Sequence, residues 1–270
     1  MRIHCLICLL MIGSPVWAQE ERAIDNFAGV GVRAMGMGGA FVGVADDYTA
    51  AYWNPAGLAQ IDQREVHVSL LRNSRENTAT FNGTSAGSEL SNTRFGSLGF
   101  VYPYPVYKGS LVFAVGLKRI KDFDWNLRQT GLDAVDSRYV DHRFQHEGEL
   151  SLSSVAVAVD VSPSLSLGLA LGVAGGGDEA SNAFSWEDRN DLYIERRFLA
   201  TDTFSDDYSS SWHATLGAMV RLPREQPRMR LGAAMSASVV QEVRYVFRGS
   251  PDGYNRIDYD DGTTLNLDSE

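Results

Sequence analysis

Beyond residue 62, large apolar side chains recur at every second position, and this two-residue beat constrains the chain more than any other feature. In Leu165-Ser166-Leu167-Gly168-Leu169-Ala170-Leu171-Gly172-Val173 every odd position is large and apolar and every even one is tiny. Leu111-Val112-Phe113-Ala114-Val115-Gly116-Leu117-Lys118 reads the same way. So does 212–220, with His213 and Thr215 on the minor face. Val66, Val68 and Leu70 keep the beat, as do Leu98, Phe100 and Tyr102, and Met229, Leu231, Ala233 and Met235. Successive side chains of a strand point to opposite sides. Each of these strands therefore shows one face to an apolar medium and the other to something polar or tightly packed. The class this predicts is all-β and antiparallel.

The connections sharpen the expectation. Short ones carrying Pro or Gly (104–109, 162–164, 223–227) alternate with long polar ones (73–93, 121–147, 177–210). Short turns at one end and long loops at the other predict an antiparallel transmembrane β-barrel. A secreted β-sandwich also alternates, but it needs no such inequality between its two ends. Aromatics near the strand ends, among them Tyr102, Tyr104, Trp125 and Trp212, suit interfacial girdles. Counting from residue 65 gives about seven strands, the last over 230–246, whereas single-chain bacterial barrels close with an even number. The chain is therefore expected to be the N-terminal part of a longer one, with 258–270 an acidic loop. One irregularity lies between Leu152 and Val155, where the apolar phase slips. It predicts either a β-bulge at Ser153-Ser154 or a Leu150 and Leu152 that lie beyond the membrane and face nothing.

The first residues set the compartment. Arg2, an apolar run over 3–12, the breakers Gly13 and Pro15, and Val16-Trp17-Ala18 compose a secretory signal with cleavage after Ala18. The apolar run is shorter than the roughly 20 residues that span a bilayer as a helix. Both cysteines, Cys5 and Cys8, lie inside that leader, so the mature chain carries no thiol and no disulfide framework. The formal net charge of −10 disfavours nucleic acid as a partner. No later stretch is long and apolar enough for a spanning helix, so a membrane-crossing form must use strands closed on themselves.

Between leader and strands lies a compact segment rich in small residues. It contains Gly36-Met37-Gly38-Gly39-Ala40-Phe41, then Ala45-Asp46-Asp47, then Trp53-Asn54-Pro55-Ala56-Gly57-Leu58. Asp46 and Asp47 can cap a short helix over 48–52, and Pro55 drives Asn54 out of the α region and ends it. Residues 28–59 resemble the N-terminal hatch of the FadL/TodX family, outer-membrane transporters of long-chain fatty acids and other hydrophobic compounds. The resemblance implies a fourteen-stranded barrel plugged by the hatch, to which this chain supplies half the strands. It also implies a substrate that enters from outside, binds within, and leaves laterally or past the hatch. The family's Asn-Pro-Ala motif falls on Asn54, Pro55 and Ala56. The mature stretch 19–26, by contrast, is polar and charged.

The expected organisation is a signal peptide over 1–18, a hatch over 19–62 and a partial barrel over 63–270. Asn54, Pro55, Ala56, Phe41 and Trp53 are the expected ligand or gate residues, either as a gate or as the motif that fits the hatch into the barrel. The expected function is passive uptake of a hydrophobic small molecule, a fatty acid or hydrocarbon, by a monomer lying among outer-membrane lipid and lipopolysaccharide. The alternative is a structural or interaction barrel of a secretion or assembly system. No cofactor, metal or catalytic residue is expected. His142 and His146 read as solvated loop residues. His67 and His213 fall on the minor face, whereas an outer-membrane lipase would carry its triad on the lipid side.

Overall fold

The computed structural model describes residues 29–133, 137–190, 195–222, 229–239, 242–248, 256–259 and 261–266. The expected leader, the polar stretch 19–26 and the turn over 223–227 lie outside these residues. The chain is all-β apart from a short N-terminal segment. That segment, 29–61, holds helices α1 (Val32–Gly36) and α2 (Ala50–Trp53) and a 3₁₀ helix (Pro55–Gln60). Among the described residues, eleven strands follow in one antiparallel sheet. They are β1 (Glu65–Phe81), β2 (Thr84–Tyr104), β3 (Leu111–Asp122), β4 (Trp125–Leu132), β5 (Tyr139–Ser162), β6 (Leu165–Glu187), β7 (Glu195–Leu222), β8 (Met229–Ser238), β9 (Val243–Arg248), β10 (Arg256–Tyr259) and β11 (Thr264–Asn266).

The sheet is a meander, β1-β2-β3-β5-β6-β7, with each strand paired to its neighbour in sequence wherever a short turn joins them. β4 continues β3 along the far half of β5. The 28-residue β7 pairs along one side with β6, and along the other with β8, β9 and β10 in turn. The seven strands expected from the beat are present. One of them is broken, into β8 and β9, while β4 lies within the expected 121–147 loop and the hairpin β10–β11 is additional.

Three expectations are corrected. The long polar stretches are not loops, because strands run far into each of them. The 73–93 stretch is a hairpin that turns on Asn82 (φ 45°) and Gly83 (φ 81°), the left-handed pair whose twist matches that of the strands it joins. The 258–270 stretch contributes to strand, since β10 pairs with both β7 and β11. Finally, no bulge interrupts Ser153-Ser154, and the β5–β6 register runs straight through them. Leu150 and Leu152 are buried on the same face as Ser154, Ala156 and Ala158, so neither faces nothing. The register shift opposite them is on β3, between Arg119 and Lys121.

The two faces of the near half of the sheet differ sharply. One is covered by the N-terminal segment, whose Phe41, Ala45, Tyr48, Leu58 and Ile61 share a core with Val101, Val112, Ala114, Ala156, Ala158, Ala170 and Met219. The other is open, and leaves Val66, Leu70, Val115, Val155, Trp212 and Leu216 more than half exposed or close to it. A contiguous apolar face of this kind marks contact with something other than water.

Candidate functional site

The N-terminal segment is fixed to the covered face by Asn54. Pro55 forbids the α region to its predecessor, and Asn54 is extended (φ −161°, ψ 96°), which ends α2 as expected. The freed side chain is fully buried and does three jobs. Its Oδ1 accepts from the Ala56 backbone at 3.2 Å and so starts the 3₁₀ helix. Its Nδ2 donates to the Val42 carbonyl at 2.9 Å within the segment and to the Ala218 carbonyl of β7 at 3.1 Å. One amide thus ties two parts of the segment to the sheet.

The sheet accommodates this contact by omitting side chains. A Cβ on Gly217 would strike Asn54 and Pro55, and one on Gly168 would strike the Pro55–Ala56 peptide. Ala56 is buried beside them. The other two expected site residues lie within the same segment. Phe41 is fully buried in the shared core, and Trp53 donates its indole N–H to the Val30 carbonyl at 2.8 Å. Asp47, not Asp46, prepares the helix by accepting from the Thr49 amide and hydroxyl (2.8 and 2.5 Å). Asp46 instead bonds Arg33 at 2.6 Å, and it lies 3.8 Å from Arg230 of β8.

Above this contact runs a belt of covered-face residues at one level: His67 on β1, Gly99 on β2, Gly116 on β3, Ser154 on β5, Gly172 on β6, His213 on β7 and Ser238 on β8. The small residues leave room there. Tyr48 fills part of it, resting where a Cβ on Gly99 or Gly116 would stand. Beside it lies Lys118, fully buried, whose ammonium donates to Ser154 Oγ at 2.8 Å. Thr215 joins His213 and Ser236 through side-chain bonds of 3.2 and 2.9 Å. Sequence reasoning placed His67 and His213 on this face but passed over Tyr48 and Lys118. The signal was available: a lysine in step with Ala114 and Gly116 must point to the face that is short of water.

Behind the belt, on the open face, is a concavity of about 750 Å³ lined by Val66, Leu98, Phe100, Val115, Leu117 and Trp212 among others. At the same level the wall changes character. The β2–β3 ladder stops at the Ser97–Lys118 pair, although both chains continue. Beyond it, side chains replace the ladder. Asn126 donates to the Glu89 carbonyl at 2.9 Å, and Arg94 bonds Asp124 at 2.7 Å. Asp124 also accepts from the Gly148 amide at 3.1 Å, which staples the break between β3 and β4 to β5.

In the far half of the sheet, His146 and Asp178 are buried partners rather than solvated loop groups. The Trp125 indole can only donate, so His146 Nδ1 accepts from it at 3.0 Å and Nε2 carries the proton toward Asp178. Asp206 stands opposite Asp178 across the β6–β7 ladder. Burial, then the Asp178 charge, push its carboxyl above the usual range. Among the described residues no group of three or more His, Cys, Asp or Glu is arranged to hold a metal ion. Gly83-Thr84-Ser85-Ala86-Gly87 has the Gly-x-Ser-x-Gly spacing of a nucleophile elbow, which sequence reasoning overlooked. Ser85 sits on a β-hairpin bonded to Thr80 Oγ1 at 2.9 Å, not on the strand-to-helix turn that such a nucleophile needs.

No protein-family model, curated protein or solved structure matches this chain.

Proposed function

We propose that the chain is the N-terminal part of an outer-membrane β-barrel that takes up hydrophobic small molecules passively, with residues 29–61 as its hatch. The observation that carries this reading is the pairing of a largely apolar open face with a covered face on which Asn54 and Pro55 dock against bare glycines. The open face would meet lipid and the covered face would line the lumen. About 9–11 residues of a tilted strand cross a bilayer, so the near halves of β5, β6 and β7 suffice and their far halves stand outside. A hydrophobic substrate entering there would be desolvated, at roughly 0.8 kcal/mol for each CH₂ buried. The lapse of the β2–β3 ladder beside the apolar concavity suits lateral exit into the membrane.

The test is uptake of labelled dodecanoate and dodecane by cells with and without the gene. Slower uptake on deletion, restored by complementation, is the expected result. Unchanged uptake of both compounds rejects the transport role. A second reading, an interaction barrel of a secretion or assembly system, draws on the far hairpins. They are long and stiffened by stacked rings such as Trp186 on Phe198 (5.7 Å) and Trp125 on Phe144 (4.5 Å). That reading predicts loss of a secreted or surface protein, not of uptake, in the same deletion strain.

A further inference from the structure

We propose that the far part of the β1–β2 hairpin, residues 70–95, is a movable flap, hinged at Gly96 and latched onto β4 by asparagine side chains. It opens and closes the wall where the β2–β3 ladder lapses. The proposal stands apart from the uptake reading and holds whichever medium the near sheet faces.

The hairpin is whole in itself but loosely held. Its own ladder runs unbroken from the Leu70–Phe95 pair to the Phe81–Thr84 pair. Among the described residues, no backbone hydrogen bond joins 70–95 to any other strand. No residue of that stretch is buried, so it brings no core to the contact. At the same level β5 buries His146 and Leu150. Side chains hold the hairpin instead. Asn77 Nδ2 donates to the Asn126 carbonyl at 2.8 Å, and Asn82 Nδ2 to the Leu132 carbonyl at 3.0 Å. Asn73 reaches Asp122 at 3.1 Å, while Asn92 and Arg94 both bond Asp124. Bonds of this kind are nearly balanced by the bonds to water that replace them, whereas buried apolar contacts are not. The latch is also imperfect. Asn92 Oδ1 and Asn126 Oδ1 are buried without a partner, a cost that opening relieves.

The base of the hairpin is built to bend. Ser69 pairs with Ser97 but Leu70 pairs with Phe95, so Gly96 is an extra residue on β2. A bulge of this kind bends its strand and interrupts the ladder. A Cβ on Gly96 would stand 2.6 Å from Ser69 Oγ and 3.1 Å from Leu71 Cγ, so glycine lets the two strands close up there. Directly below, the buried Ser69 and Ser97 hydroxyls bond at 2.7 Å, and the β2–β3 ladder begins at Ser97–Lys118. Attachment passes from ladder to latch within one residue. The landing place is shaped as well. Gly131 of β4 lacks a side chain where one would stand 2.8 Å from the Phe81 carbonyl. A swing about Gly96 lifts the hairpin off β4 with its own ladder intact. It leaves a slot between β2 and the β3–β4 break, where Asp124 gives up Asn92 and Arg94 but keeps the Gly148 amide.

The experiment measures the distance between spin labels on Ser85→Cys in the hairpin and Glu179→Cys on β6, in the full chain in lipid. Two distances are expected with the latch intact, a shorter latched one and a longer open one. Asn77→Ala combined with Asn82→Ala removes two latch bonds and should raise the open-to-latched ratio about tenfold. Amide exchange within 71–95 should stay as slow as before, because the hairpin swings as a unit. A second measurement leaves the latch residues unchanged. Raising salt from about 50 mM to about 1 M screens the pairs of Arg94 with Asp124 and Glu147, and should shift the same ratio toward open. A single distance, unmoved by the substitutions and by salt, overturns the proposal. A longer distance accompanied by faster exchange over 71–95 also overturns it, because the hairpin then melts instead of swinging.

Discussion

At the scale of single residues, Asn54 shows why a short motif can matter more than its hydrophobicity suggests. Pro55 gives it an extended backbone, and burial makes each of its amide bonds costly to lose. Asn54→Ala should weaken docking of the N-terminal segment by about 1–3 kcal/mol, the usual cost of leaving buried polar groups unpaired. Asn54→Asp should be worse, despite its identical shape, because it turns an oxygen toward the Val42 and Ala218 carbonyls that now receive N–H bonds. Limited proteolysis of 29–61 in the two variants checks the order, and equal protection in both would show that the amide is not the anchor. The sequence motif singled out Asn54, Pro55 and Ala56 as gate residues or as the element that fits the segment into the barrel, and the structure has them in contact with the sheet. What it could not supply was the receiving surface, since Gly168 and Gly217 lie more than a hundred residues away and read only as the small half of an alternating pattern.

At the scale of elements, the alternation was legible wherever one face is apolar, and illegible wherever both are polar. β3 and the near parts of β5, β6 and β7 announce themselves because Val, Leu and Phe alternate with Gly, Ala and Ser. The far parts carry Ser, Thr, Asp and Glu on both faces, so composition mimics a loop while the backbone ladder continues across β6 and β7 to the Glu187–Arg197 pair. Asn82-Gly83 was the local signal that a hairpin, not a loop, fills 73–93. The far β6–β7 hairpin should also respond to pH. Burial and the charge of Asp178 raise the Asp206 carboxyl above its ordinary range. The folded hairpin therefore binds that proton more tightly than the unfolded chain does, and its stability rises as pH falls from neutrality toward the carboxylate range. Amide exchange over 200–208, corrected for intrinsic rates, should slow as pH is lowered from neutrality into the carboxylate range in the wild type. Asp206→Asn should protect the hairpin at neutral pH and flatten the response. A wild-type hairpin that loosens on acidification would contradict this assignment.

At the scale of the whole molecule, everything depends on what the two faces of the near sheet touch. The covered face carries its own cover, in the N-terminal segment packed on β2, β3 and β5 to β8. The open face has none among the described residues, and full removal of an aliphatic side chain from water is worth roughly 1.5–3 kcal/mol. Lipid would supply that gain, and so would a second sheet. The most direct test uses the absence of cysteine beyond residue 8. Single cysteines introduced in turn at Val112, Phe113, Ala114, Val115 and Leu117 can be spin-labelled in the protein assembled in outer membrane, and their collision rates with oxygen and with a water-soluble nickel complex compared. Labels at 113, 115 and 117 should meet oxygen dissolved in lipid and be shielded from nickel, while those at 112 and 114 should be shielded from lipid. If labels on both faces are shielded from lipid and water alike, the beat encloses a dry core between two sheets, and the membrane wall and the uptake role are both wrong.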